Sequence, residues 1–200
     1  MDGDTPSGLD HEEQKQLLRL ALQSVRYGLS VDQPLQVDLN SLPPRLNRPQ
    51  ACFVTLHHGD ELRGCVGTLE PHHPLAQQVA NSAYDAAFRD LRLSPIDASE
   101  IALLSVDISI LSALTELDVA SEAELLRLLR PGIDGVVLSE GELQATFLPQ
   151  VWKTFELPFH FVEHLKRKAG LGPRYWSPTL RWRRYTVEAF GANAADLVDA

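Results

Sequence analysis

The residue pattern predicts an α+β fold, an antiparallel β-sheet flanked by helices. Three observations carry it. Residues 51–69, ACFVTLHHGDELRGCVGTL, hold two β-rich runs about a Gly-Asp turn. Residues 104–111, LSVDISIL, alternate strictly between apolar and polar side chains, as a strand with one buried face does. Helical stripes fall between the strands without the regular βαβ rhythm of a parallel sheet.

Along the chain, residues 1–9 read as a loose tail. Asp10 is a helix N-cap with Glu13 at the N3 position, a capping box. Leu17, Leu18, Ala21, Leu22 and Val25 follow as one apolar stripe, and Gly28 is the expected stop. Pro34, Pro43, Pro44 and Pro49 make residues 30–49 an extended connection. After the first hairpin, His73-Pro74 opens an Ala-rich helix whose small residues suit close packing on a sheet. The 104–111 strand comes next, then a short helix with Ser121 and Glu124 as a second capping box, stopped at Pro131-Gly132. Residues 132–148 form a second hairpin turning near Glu140-Gly141. Pro158 opens a helix closed by Gly170, RRYTVEAF (183–190) is a last strand, and 191–200 read as a frayed tail.

Composition excludes several classes of function. The 200 residues carry 18 Lys+Arg against 27 Asp+Glu, a formal charge of −9, which disfavours a protein that wraps nucleic acid with its whole surface. No apolar run approaches the roughly 18 residues that span a bilayer. The acidic N-terminus is no secretory or transit signal. Two cysteines without a C-x-x-C spacing fit a reduced, cytoplasmic protein. Phosphate-loop, dinucleotide-binding and nucleophile-elbow motifs are absent, and no motif implies a cofactor.

LRGCVG at 62–67, directly after FVTL at 53–56, resembles the signature of the AMMECR-type domain family, whose prokaryotic members are called AmmeMemoRadiSam system protein A. RDLRLSPI (89–96), DISIL (107–111), GIDGVVL (132–138), FLPQV (147–151) and KAGL (168–171) resemble further family segments in the expected order, so the resemblance runs over about residues 50–190 of a domain placed at 10–190. Leu91 stands where the family usually has Pro, Leu93 where it has Phe, Asp107 for Glu and Asp134 for a common His. The resemblance implies a sheet flanked by helices, a smaller second lobe and an inter-lobe cavity. It also implies a link to a Memo-like protein and a radical-SAM protein of the same system, but no agreed activity.

Within LRGCVG, alternation puts Arg63, Cys65 and Gly67 on one face and Leu62, Gly64 and Val66 on the other. A guanidinium near a thiol favours the thiolate, so Cys65 is the candidate nucleophile or thiol acceptor. The alternative is a small, inert core cysteine. Arg63 on a strand requires a counter-charge. That partner is either an internal acid, Asp90 or Asp107, or the acid group of a small anionic ligand. Gly64, Gly67, Asp90, Arg92, Ser109, Gln150 and Lys168 complete the candidate ligand-binding set. Asp90 and Arg92 either pair with each other or line the cavity. His57, His58, His72 and His73 lack zinc spacing, so no metal site is expected, and HHGD reads as a solvated turn. The segment 164–187 is free of acidic residues and interleaves seven cations with aromatics. It reads either as nucleic-acid binding or as core aromatics with internally paired arginines.

Overall fold

The structure is a computed structural model that describes residues 8–197. The chain divides into two compact units, one made of residues up to Leu111 together with those from Glu188 onward, the other of Ser112–Val187. Each has its own antiparallel sheet and core.

In the first unit, helix α1 (His11–Val31) opens with the expected box: Asp10 Oδ1 accepts from the Glu13 N–H at 2.8 Å, and the Glu13 carboxylate accepts from the Asp10 N–H at 3.0 Å. The helix does not stop at Gly28. It runs one turn further to an Asp32 cap in the left-handed region (φ 55°). Gly28 is instead where α2 (Leu75–Phe88) packs closest: a Cβ there would lie 2.6 Å from ring atoms of both Tyr84 and Phe88. Strands β1 (Cys52–His58) and β2 (Glu61–Gly67) form the predicted hairpin about Gly59-Asp60. With β3 (Leu104–Leu111) and β8 (Val187–Asn193) they build a sheet of order β2-β1-β3-β8, in which β2 and β8 are edges. Cys52, Val54, Leu56, Val106, Ile108 and Ile110 point toward the α1 and α2 stripes and form the core with them. Phe53, Thr55, His57, Cys65, Ser105, Asp107 and Ser109 take the alternate positions and make the opposite, mainly polar face.

The second unit has a four-stranded antiparallel sheet of its own. Its strands are β4 (Thr115–Leu117), β5 (Gly135–Glu140), β6 (Leu143–Phe147) and β7 (Arg181–Tyr185). Helices α3 (Glu122–Leu128) and α4 (Pro158–Lys168) complete it. Half of the second capping box forms: Ser121 Oγ accepts from the Glu124 N–H, while the Glu124 carboxylate accepts from the Ala120 N–H.

The last predicted strand is two strands. β7 belongs to the second sheet and β8 (Val187–Asn193) to the first, with the break at Thr186. There the Thr186 N–H donates to Ser112 Oγ, and the Ser112 N–H donates to the Thr186 carbonyl, both at 2.9 Å. The described parts of the two expected loose tails are held in place. The Leu9 N–H donates to Glu188 at 2.8 Å, and Ala194–Leu197 form a 3-10 turn with Ala194 and Leu197 buried. Residues 1–7 and 198–200 of those tails lie outside the described residues.

Gly64 sets how closely α2 approaches β2, because a Cβ there would lie 1.9 Å from the Ala86 carbonyl oxygen. Backbone cannot swing aside as a side-chain end can. Gly64→Ala is therefore expected to cost about 1–3 kcal/mol in urea unfolding, whereas substitution at Gly172, where a Cβ meets nothing within 4 Å, leaves the midpoint near wild type.

Candidate functional site

The site grows from an irregularity in the first hairpin. Pairing proceeds His58↔Glu61 and His57↔Leu62, then jumps to Leu56↔Gly64 and Thr55↔Cys65. Arg63 is the extra residue of this bulge and has no partner across the ladder. A bulge bends its strand and re-aims a side chain. The Arg63 guanidinium reaches Glu100, donating through Nε at 2.7 Å and Nη2 at 3.1 Å, and both side chains are mostly buried. Glu100 also accepts from the Asp97 N–H at 3.0 Å. The fork raises the Arg63 pKa and lowers that of Glu100. The counter-charge of Arg63 is thus neither Asp90 nor Asp107.

Beyond the bulge, Thr55 and Cys65 lie opposite each other, and the Thr55 hydroxyl donates to Cys65 Sγ at 3.3 Å. The peptide groups of Cys65 face the outer edge of the sheet, away from β1. Its N–H donates to Asp90 Oδ2 at 3.1 Å, and its carbonyl accepts from Arg92 Nη2 at 3.1 Å. Asp90 and Arg92 are joined by a double hydrogen bond, Nε to Oδ1 at 2.8 Å and Nη2 to Oδ2 at 2.6 Å. An acid–base pair from the loop after α2 therefore stands where a neighbouring strand would stand. Asp90 is 6% exposed, against 64% for Arg92. The guanidinium fork, helped by the N–H groups of Cys65 and Arg92 against the cost of burial, holds the Asp90 carboxyl well below the usual carboxylate range.

On the same face, His57 Nδ1 lies 3.3 Å from Asp107 Oδ2. This histidine belongs to β1 and is not part of a solvated turn. Gly191 in β8 leaves room for the carboxylate, since a Cβ there would meet Asp107 Oδ1 at 2.2 Å. Ser109 is buried on β3 opposite Phe53, and Phe53 is opposite Gly67 on β2. A Gly67 Cβ would lie 2.2 Å from the Cys52 carbonyl oxygen. The other cysteine faces the core, and burial, partly offset by a hydrogen bond with Ser82, pushes its thiol up to about 12.

Cys65, Asp90 and Arg92 are thus in one contact network, next in the chain to Gly64, which meets Ala86, and Arg63, which pairs with Glu100, with Gly67 and Ser109 on the same sheet. Gln150 and Lys168 belong to the second unit. Gln150 is exposed near the start of a 3-10 turn. The Lys168 ammonium donates to the Thr146 carbonyl at 3.0 Å and sits 5.1 Å over the Phe147 ring. Four of the seven cations of the 164–187 segment, Lys168 among them, have partners within this unit, and Arg167, Arg174 and Arg181 are exposed. Lys166 is buried against Glu122 and lies 5.5 Å over Trp176, while Arg183 is near Glu116 and Arg184 near Asp134. Trp182 and Tyr185 are core residues. Among the described residues no three His, Cys, Asp or Glu side chains converge as a metal site. Among the described residues no helix is long and apolar enough to cross a membrane.

The AMMECR1 family model matches residues 18–190. The chain belongs to the AMMECR1 family. A Methanothermobacter thermautotrophicus protein is 30% identical over 188 residues, covering 91% of this chain and 95% of that protein. A Methanocaldococcus jannaschii protein is 34% identical over 148 residues, 70% of this chain and 72% of its own. The crystal structure of the uncharacterized protein PH0010 from Pyrococcus horikoshii superposes with a TM-score of 0.84 at 27% identity, covering 92% of this chain and 93% of that one.

Because Asp90 titrates lower folded than unfolded, its contribution to stability is complete above the unfolded value of about 3.9 and fades as pH falls below it. Asp90→Asn is expected to lose about 1–3 kcal/mol at pH 7 by chemical unfolding, and the gap to wild type narrows below about pH 4.

Proposed function

We propose that this AMMECR1-family protein works through Cys65 as a reactive thiol, either as a nucleophile or as the acceptor of a transferred group. The observation that carries the reading is the treatment of this residue compared with Cys52. Both are free thiols. Cys52 is sealed in the core, where burial keeps it protonated and inert. Cys65 is partly exposed, its sulfur accepts a hydrogen bond from Thr55, and its peptide is gripped on both sides by the Asp90–Arg92 pair. A hydrogen bond to sulfur favours the form that attacks electrophiles, and a fixed backbone removes the disorder that slows an encounter.

Arg63 is a poorer anchor for an anionic ligand than its place in the motif implies. Its fork is filled by Glu100, and prising that mostly buried pair apart would leave an unmatched charge. Its role in this reading is to fix the 94–100 loop over β2.

Mass spectrometry after limited treatment with iodoacetamide tests the reading. One equivalent is expected at Cys65 in the native protein, faster than with free glutathione, and Cys52 is modified only after denaturation. Thr55→Val, which keeps the shape and removes the donor, is expected to slow the Cys65 reaction about fivefold, the equivalent of one ordinary hydrogen bond of about 1 kcal/mol. A native Cys65 no more reactive than glutathione would defeat the proposal.

A further inference from the structure

Resting on the reading of Cys65 as a reactive thiol, we infer that the molecule it meets is anionic, an electrophile with a carboxylate or phosphate next to its reacting atom, and that Arg92 is the residue that selects it.

The Asp90–Arg92 pair is asymmetric. The acid is buried and the base faces outward. Asp90 holds Arg92 by Nε and Nη2, and Nη2 also reaches the Cys65 carbonyl. Among the described residues the two N–H bonds of Nη1 make no hydrogen bond. The guanidinium therefore presents a spare donor edge while its position is fixed by three contacts, one to the cysteine's own peptide. A preorganised cation beside a nucleophile gathers anions and orients them without the entropic cost of ordering a free arginine.

The other charged groups around the thiol leave this role to Arg92. Arg63 on β2 is spent on Glu100. Across the sheet, β1 offers Thr55 and His57, and β3 offers Asp107, which is drawn toward His57.

The test compares two alkylating probes on the full chain, neutral iodoacetamide and anionic iodoacetate. In both, the sulfur electron pair forms the S–C bond, iodide leaves with the C–I electrons, and the thiol proton passes to buffer. A small free thiol reacts more slowly with iodoacetate, because thiolate and carboxylate repel. At Cys65 the iodoacetate-to-iodoacetamide rate ratio is expected to exceed that of N-acetylcysteine by about fivefold or more, and to fall as salt is raised. Arg92→Gln is expected to return the ratio to the free-thiol value, and Arg92→Lys, which keeps the charge, to retain part of the excess. Circular dichroism and thermal unfolding check that each variant is folded. Ready modification by iodoacetamide with an ordinary ratio that Arg92→Gln leaves unchanged would overturn the inference and leave the thiol reading intact. Failure of both probes to modify native Cys65 would overturn both.

Discussion

The bond network around the backbone N–H and carbonyl of one residue, Cys65, ties the loop after α2 to the first sheet. β2 is an edge strand, and an edge presents backbone groups that attract water or another chain. Here Asp90 accepts the outward N–H, Arg92 donates to the outward carbonyl, and the two side chains satisfy each other. This arrangement protects the edge, ties the loop after α2 to the sheet, and fixes the cysteine. Gly64 and the Arg63 bulge serve the same end, the first by letting α2 approach, the second by turning a guanidinium onto Glu100 to fasten the far end of that loop. The LRGCVG run is thus a backbone design whose glycines and arginine place one thiol.

The second unit solves a similar problem with other charges. Asp134 is fully buried. Its carboxylate takes a forked bond from Arg130, and its carbonyl accepts from Trp152 Nε1 at 2.6 Å. Lys166, also fully buried, is matched by Glu122 and by the face of Trp176. Each of these charges is paired, as burial demands. Lys166, Trp182 and Tyr185 of the basic, aromatic stretch therefore belong to a core.

Much of the fold was legible because it rests on local chemistry. The Asp10–Glu13 box, the Gly59-Asp60 turn and the 104–111 alternation all act within a few residues. What was not legible depends on distant packing. Gly28 looks like a helix stop until Tyr84 and Phe88 are seen against it. The break at Thr186 is invisible in RRYTVEAF because both halves are good strand; only the bonds to Ser112 reveal it. In the candidate site, that Cys65, Asp90 and Arg92 share one neighbourhood was expected from the motif and its loop. Thr55 was not, because counting back from the turn without a bulge pairs it with Gly64 rather than Cys65. Glu100 and the His57–Asp107 contact were missed for a related reason: no local spacing connects them to LRGCVG.

Amide hydrogen exchange at Cys65 reads the central interaction directly. If the Asp90–Arg92 pair replaces a neighbouring strand, the Cys65 N–H exchanges slowly despite its edge position, with protection approaching that of interior β1 amides. A Cys65 amide that exchanges as fast as a solvent-facing one in the native protein would contradict the account.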